Sequence, residues 1–95
     1  MEIKQENQHQ KGSFIAWEGD QEAGVLDYTM DSTNRLVIDH TEVYPEFEGK
    51  GLGKKLVMEA VEFAREKNLK IIPLCSYAST VFSRTDAIRD VLYTS

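Results

Sequence analysis

The sequence is short of the residues that build disulfide frameworks and metal centres. It has one cysteine, Cys75, and two histidines, His9 and His40, which are far apart along the chain. A single cysteine cannot form an internal disulfide, and zinc sites need several cysteine or histidine ligands. We therefore expect neither a disulfide nor a metal site. The 41% of hydrophobic residues must then supply one modest core.

Long apolar runs and an excess of positive charge are also missing. No stretch approaches the roughly 20 apolar residues of a membrane span, and the opening MEIKQENQHQKG lacks the apolar centre of a signal peptide. The formal charge is −5, whereas nucleic acids and anionic membranes are bound by cationic faces. These absences predict a cytoplasmic protein with neither nucleic acid nor membrane as a partner. The sequence leaves the oligomeric state open, and a monomer is favoured.

The first half of the chain predicts an antiparallel meander. Apolar, aromatic and β-branched residues gather in three short runs, and the second run alternates as a half-buried strand does. The short polar side chains of residues 31–34 are typical of a turn. The predicted strands are residues 13–18, 23–30 and 35–43.

In the second half of the chain the spacing of the apolar residues changes. From Leu52 the apolar residues recur about every 3.6 positions, which predicts an amphipathic helix that ends near Asn68. Residues 70–78 predict a further strand, in which Pro73 marks a bulge or an edge. Residues 79–93 predict a short helix. Its candidate N-caps are Ser79 and Thr85.

The junction between the third strand and the main helix reads HTEVYPEFEGKGLGKKL, with glycine at positions 49, 51 and 53. A Walker A loop is excluded because Glu48 stands at its first glycine position and Lys55 at its Ser/Thr position. A dinucleotide fingerprint is excluded because Leu56 replaces its third glycine. The spacing therefore matches neither of these phosphate-binding motifs.

Helix geometry still favours an anion at this junction. A helix begins with unpaired amides and a positive dipole end, and glycine lets an anion come close to the backbone. Lys50, Lys54 and Lys55 add positive charge in an otherwise acidic chain. A glycine-rich turn beside a solvated lysine face is the alternative interpretation. The lysine cluster favours a phosphate-bearing ligand.

The stretch VYPEFEGKGLGKKLV resembles the acyl-CoA signature of the GNAT superfamily of N-acetyltransferases, Gln/Arg-x-x-Gly-x-Gly/Ala. Residues 48–53 occupy its register, and Glu48 stands where Gln or Arg is usual. HTEV before the turn and IIPLCSYA after the helix are similar to a family of small, single-domain GNAT-like proteins, over residues 13–82. Larger members carry two helices between their first and second strands, for which this chain has only QENQHQKG.

This resemblance implies the fold class and the ligand. We expect one α+β domain over residues 1–95 with a truncated GNAT-like fold: an antiparallel meander, the glycine turn, the main helix, a further strand and a short C-terminal helix. Acetyl-CoA or coenzyme A would be the cosubstrate, and an unknown amine or protein the acceptor. The alternative is a non-catalytic CoA-binding module that acts as a sensor or protein partner.

The resemblance also implies which residues bind the cofactor. The end of the third strand would lie along the pantetheine arm, where one exposed N–H would polarise the thioester carbonyl. The glycine turn would hold the pyrophosphate. The expected cofactor-binding residues are Thr41, Val43, Glu48, Gly49, Lys50, Gly51, Leu52, Gly53, Lys54, Cys75 and Tyr77.

The candidate catalytic residues are His40, Glu42 and Cys75. His40 is a candidate base because histidine titrates near neutral pH, with a structural hydrogen-bonding role as the alternative. Glu42 is the alternative base, and strand alternation places it on the same face as His40. Cys75 is either an acetyl acceptor, as a thiolate, or a small buried apolar residue. Tyr77 is either a proton donor to the leaving thiolate or a packing residue. Direct attack by the amine is favoured because the sequence supplies no cation near Cys75.

Overall fold

The computed structural model describes residues 1–94. Their central element is a five-stranded sheet. Strands β1 to β4 run antiparallel in chain order, and β5 lies parallel to β4 at the edge. The elements are β1 (Glu2–Gln8), β2 (Lys11–Glu18), β3 (Gln21–Met30), β4 (Arg35–Val43), a 3₁₀ turn (Pro45–Phe47), α1 (Leu52–Lys67), β5 (Lys70–Pro73), α2 (Ser76–Arg84) and a 3₁₀ segment (Asp86–Val91). This is the predicted α+β architecture of an antiparallel meander, a main helix, a further strand and a short C-terminal helix.

The meander and the main helix are confirmed. Strand β4 has the predicted bounds, while β2 and β3 each begin two residues earlier than predicted. Helix α1 begins at Leu52, and Asn68 ends it in a left-handed conformation with φ of 58°. These elements were predictable because each carries its own apolar period.

Strand β1 was not predicted. Its sequence EIKQENQ has Ile3 as its one apolar residue, and most of its side chains are exposed. It forms by pairing with β2 along its whole length, from Glu2 opposite Trp17 to Gln8 opposite Lys11. An edge strand that buries so little leaves no hydrophobic pattern in the sequence.

The predicted strand over residues 70–78 is wrong beyond Pro73. Proline has no N–H to continue the ladder, and the chain turns there, with the Leu74 amide bonded to the carbonyl of Ile72. Helix α2 follows and buries Ala78, Val81 and Phe82, which are spaced for one helix face. The apolar run at residues 71–75 extended the strand prediction too far because a short run does not reveal its period.

The predicted N-caps are corrected in the same region. Ser79 lies inside α2, and the residue at the N-cap position is Cys75. Thr85 does precede the 3₁₀ segment, although its side chain makes no capping bond.

The core lies between one face of the sheet and the two helices. Helix α1 contributes a fully buried stripe, and the sheet contributes alternate residues of β2, β3 and β4. The buried residues of these elements include Phe14, Ala16, Leu26, Tyr28, Leu36, Ile38, Leu56, Val57, Ala60, Val61, Ala64, Ala78 and Phe82. None of the helices within residues 1–94 is long and apolar enough to cross a membrane.

A bulge in β4 reverses which residues face the helices. Tyr28 pairs with Ile38 but Asp27 pairs with His40, so Asp39 is an extra residue in β4. Before the bulge, Leu36 and Ile38 are buried against the helices. Beyond it, residues 41 and 43 face the helices, and residues 40 and 42 face the opposite side of the sheet, which we call the open face.

Strands β4 and β5, the parallel pair of the sheet, part at this bulge. Their pairing runs from Arg35 opposite Lys70 to Ile38 opposite Pro73. The Cys75 amide closes the junction by donating to the carbonyl of Ile38 at 3.1 Å. Within the described chain, the edge of β4 beyond this point has no strand partner.

Asp31 fixes the turn between β3 and β4. Its carboxylate accepts bonds from the Thr33 and Arg35 amides at 2.9 and 3.0 Å and from the Arg35 guanidinium at 2.8 Å. Desolvation acts to raise the pKa of Asp31, but these bonds outweigh it and lower the pKa from 3.8 to about 2. The ionised carboxylate therefore stabilises the folded state.

We expect Asp31→Asn to lower the melting temperature at pH 7. Because the folded pKa is depressed, this stabilisation is present above the unfolded pKa and is lost as the pH falls toward about 2. The difference between the two proteins should therefore shrink between pH 4 and pH 2 in thermal melts followed by circular dichroism. Asp20→Asn, in the exposed turn after β2, is the matched control. An undiminished difference at pH 2 would contradict this assignment.

Candidate functional site

The glycine turn adopts a backbone that other residues rarely adopt. Gly49 and Gly51 have φ of 83° and 72°, and a β-carbon on either would meet no atom within 4 Å. Gly51 is the N-cap of α1, whose first helical bond runs from the Lys55 amide to the carbonyl of Gly51 at 3.2 Å. The amides of residues 52–54 therefore have no intrahelical partner and face the start of the helix.

Gly53 has a different reason to be glycine. A β-carbon there would lie 2.8 Å from both Cζ and the hydroxyl oxygen of Tyr77. Two of the three glycines thus have left-handed φ values in an open turn, and the third lies against the Tyr77 ring.

A cleft of about 330 Å³ opens beside this turn. It exists because β4 continues after β5 has turned away into α2. Strand β4 supplies one wall, the glycine turn a second and α2 a third. The lining residues are Thr41, Val43, Glu48, Gly49, Gly51, Leu52, Gly53 and Tyr77.

The lysine cluster lies outside this cleft. Lys50, Lys54 and Lys55 surround a neighbouring depression of about 520 Å³, whose apolar residues include Ile3 and Met58. The Lys50 ammonium lies over the Phe47 ring, 5.6 Å from its centroid. The two hollows share one residue of the turn, Gly51.

The one charged residue in the cleft lining is an acid. Glu48 lies beside the glycines, in the position where the acyl-CoA signature has Gln or Arg. Its carboxylate repels an anion that the neighbouring helix start attracts. Inside the cleft, backbone amides attract an anion and Glu48 repels it. The positive charges of the lysines lie outside the cleft.

Cys75 lies at the junction of β4 and α2. Its Sγ is 3.6 Å from the Thr41 hydroxyl. Partial burial acts to raise the pKa of the thiol, but the Ala78 amide, the Thr41 hydroxyl and the Tyr77 and Thr41 amides lower it below its ordinary value. The Ala78 and Tyr77 amides lower the pKa of the thiol although the Cys75 side chain makes no regular N-capping hydrogen bond.

The sequence supplies no cation near Cys75 that would activate its thiol. The groups that lower the pKa of the thiol are instead the Thr41 hydroxyl and backbone amides, some of them at a helix N-terminus, a known cause of low thiol pKa values. The sequence prediction missed them because residues 74–78 were assigned to a strand. The helical spacing of Ala78, Val81 and Phe82 is the feature of the sequence that indicates a helix here.

His40 and Glu42 lie on the open face, across β4 from Thr41. His40 Nε2 and Glu42 Oε1 are 3.4 Å apart, and both side chains are more than half exposed. The structure therefore divides the candidate residues into two groups. Thr41, Cys75 and the cleft lie on the helix side, and the His40–Glu42 pair lies on the other.

The open face next to this pair is acidic. His40 stands opposite Asp27 in the β3–β4 register, and a hollow of about 500 Å³ nearby is lined in part by Glu6, Asp27 and Asp39. Ser13 and Thr29 donate to the last two carboxylates at 2.6 Å each. Among residues 1–94, no three His, Cys, Asp or Glu side chains are grouped closely enough to hold a metal ion.

Comparison with known proteins shows what the chain is similar to. The profile of a family described as GCN5-related N-acetyl-transferase matches residues 13–91. The NMR structure of a Staphylococcus aureus protein assigned as a GCN5-like N-acetyltransferase is 36% identical, with a TM-score of 0.77, and the match covers 99% of this chain and 89% of that one. A search among curated proteins by sequence finds no match.

More distant structures are larger. A Bacillus anthracis protein assigned as a streptothricin acetyltransferase, in complex with acetyl coenzyme A, is 25% identical with a TM-score of 0.61. The match covers 70% of this chain and 39% of that one. A likeness of fold alone links the chain to a Bacillus cereus protein named IAA acetyltransferase, at 22% identity and a TM-score of 0.65, covering 79% of this chain and 53% of that one.

We expect the Cys75 thiol to titrate below the pH at which it titrates in the unfolded chain, because the surrounding donors favour the thiolate. The measurement is the rate of alkylation by iodoacetamide as a function of pH, with and without urea. Thr41→Val should move the folded midpoint upward, and Thr41→Ser should largely keep it. A folded midpoint at or above the unfolded one would contradict the expectation.

Proposed function

The chain belongs to the family of GCN5-related N-acetyltransferases, and we propose that it transfers the acetyl group of acetyl-CoA to an amine. The observation that carries this proposal is the cleft at the parting of β4 and β5, bordered by the left-handed glycine turn at the start of α1. A cosubstrate with a thioester at one end and phosphates at the other fits such a cleft. The acetyl coenzyme A complex of the Bacillus anthracis relative supports this choice.

In this proposal the start of α1 binds the pyrophosphate. The unpaired amides of residues 52–54 and the positive end of the helix dipole attract the phosphates. Gly49 and Gly51 leave the approach free of β-carbons. Lys50, Lys54 and Lys55 lie just beyond Gly51, where they attract the nucleotide end of the coenzyme as it leaves the cleft.

The free edge of β4 binds the pantetheine arm. The Tyr44 amide donates to the carbonyl of Ala23 in β3, so the backbone groups of residues 41 and 43, which alternate with it, point to the other edge. That edge has lost β5 as its partner. One of these amides would polarise the thioester carbonyl, and the Thr41 amide also lies against the Cys75 thiol.

The acceptor amine approaches from the open face. Carboxylates there attract a cationic amine, and Glu42 or His40 takes its proton. The neutral amine nitrogen then attacks the thioester carbon and the carbon–sulfur bond breaks. The nitrogen loses a second proton as it becomes an amide nitrogen, and the leaving thiolate takes up a proton in its place. General-base help of this kind contributes roughly 10²–10⁴-fold to a rate.

Cys75 offers a second route. Its thiolate is favoured where it lies, so it is a candidate to receive the acetyl group before the amine does. The reason to favour direct attack is that the sequence supplies no cation near Cys75, and the backbone amides that lower the pKa of the thiol weaken that reason. We still favour direct attack because the His40–Glu42 pair stands on the amine side of β4.

A non-catalytic CoA-binding module is the second candidate function. The observation in its favour is the openness of the acceptor side, where His40 and Glu42 are exposed and no helix within residues 1–94 covers them. Such a module would bind the coenzyme as a sensor or partner without efficient turnover. A cytoplasmic location and a monomeric state stay predictions.

We expect acetyl-CoA to raise the melting temperature and to shift the amide NMR signals of residues 50–54, because these N–H groups are offered to the phosphates. Changing Lys50, Lys54 and Lys55 to Glu should weaken binding, most strongly at low salt. Lys4, Lys11 and Lys67, all exposed elsewhere, form the control set. No shifted signal at saturating acetyl-CoA would rule out both candidate functions.

Direct attack predicts that Glu42→Gln or His40→Ala slows amine acetylation by roughly 10²–10⁴-fold, whereas Cys75→Ala keeps most of the activity. Turnover can be followed by thiol release with a panel of amines. The Cys75 route predicts instead that acetyl-CoA alone adds one acetyl mass, removable by hydroxylamine, and that Cys75→Ser stops turnover without loss of CoA affinity. If no amine is acetylated but acetyl-CoA still binds, the chain is a binding module.

A further inference from the structure

We infer that the Tyr77 hydroxyl donates a hydrogen bond to a phosphate of the coenzyme and does not protonate its thiolate. The inference rests on the proposed function, which places phosphates at the start of α1. It replaces the sequence-based hypothesis that Tyr77 is the acid for the leaving group. Tyr77 would then be a binding residue of α2 that contacts the phosphate bound at the N-terminus of α1.

The position of the phenol ring is the first support. Tyr77 reaches across from α2 to Gly53, the second residue of α1, so closely that a β-carbon on Gly53 would be 2.8 Å from the hydroxyl oxygen. The hydroxyl therefore lies within the first turn of α1, beside the unpaired amides of residues 52–54. A phosphate bound by those amides comes within reach of this donor.

The second support is that the donor is free. Tyr77 lines the cleft and is 42% exposed. Among the hydrogen bonds of the described residues, none uses its hydroxyl. A hydrogen bond to a charged oxygen is also stronger than one to a neutral partner, and Tyr77 would be the one side-chain hydroxyl beside the turn to offset Glu48.

The third support is the direction of the neighbouring thiol. Cys75 contacts Thr41 at the junction with β4, which is where the thioester end of the coenzyme is placed. Tyr77 is two positions further along, and its ring lies against Gly53 in α1. The Tyr77 side chain is therefore directed toward the start of α1, whereas the Cys75 thiol is directed toward Thr41 in β4.

The test compares two acetyl donors on two variants. We expect Tyr77→Phe to weaken acetyl-CoA binding about tenfold, the usual worth of a hydrogen bond to a charged group, in calorimetric titrations. S-acetylpantetheine has no phosphate, so its binding, followed by NMR, should be the same in wild type and Tyr77→Phe. Tyr93→Phe is the matched control, since that ring stacks on Arg35 far from the cleft.

Gly53→Ala gives an independent variant that keeps the hydroxyl. Its β-carbon displaces the Tyr77 ring, so it should weaken acetyl-CoA binding, and the Tyr77→Phe change should then cost little more. Unchanged acetyl-CoA affinity in Tyr77→Phe, or a fall in its turnover with S-acetylpantetheine, would overturn the inference. If the wild-type protein does not bind acetyl-CoA at all, the proposed function itself fails.

Discussion

The end of β4–β5 pairing at Ile38 and Pro73 is the constraint on which the site depends. A proline has no amide for the next rung of the ladder, so the chain leaves the sheet there and forms α2. That departure has three consequences. It leaves the edge of β4 without a partner, it opens the cleft between β4 and α2, and it brings the first amides of α2 to the Cys75 thiol. A strand that continued to residue 78, as the sequence suggested, would have filled the cleft with its own backbone.

The bulge at Asp39 determines which side chains of β4 lie on each face of the sheet. By inserting one residue, it turns Thr41 toward the helices and the His40–Glu42 pair toward the open face. Without it, side chains at positions 40 and 42 would continue the buried row of Leu36 and Ile38. The strand thus separates the helix side, which holds the cleft and Cys75, from the open face, which carries the His40–Glu42 pair.

The phosphate-binding features of the turn come from the backbone more than from charge. The left-handed Gly49 and Gly51 and the start of α1 present amides to the cleft, while the lysines surround a different hollow and Glu48 alone charges the lining. An exposed lysine is screened within about 10 Å at 0.1 M salt. Amides fixed by a helix keep their position and their direction. This arrangement favours binding of an anion by backbone geometry over binding by charge.

The sequence by itself determined the elements whose signal is local. Strands β2 to β4, helix α1 with its stop at Asn68, and the turn at Asp31 each carry a period or a side chain that acts within a few residues, and the glycine signature indicated the family. Only the tertiary structure decided the rest. Strand β1 forms because β2 is there to pair with it, and α2 begins where pairing with β4 stops. The bulge at Asp39 is a relation between two strands, and the contacts of Tyr77 with Gly53 and of Cys75 with Thr41 join residues 24 and 34 positions apart. Such relations depend on how separate segments pack, so no short stretch of sequence contains them.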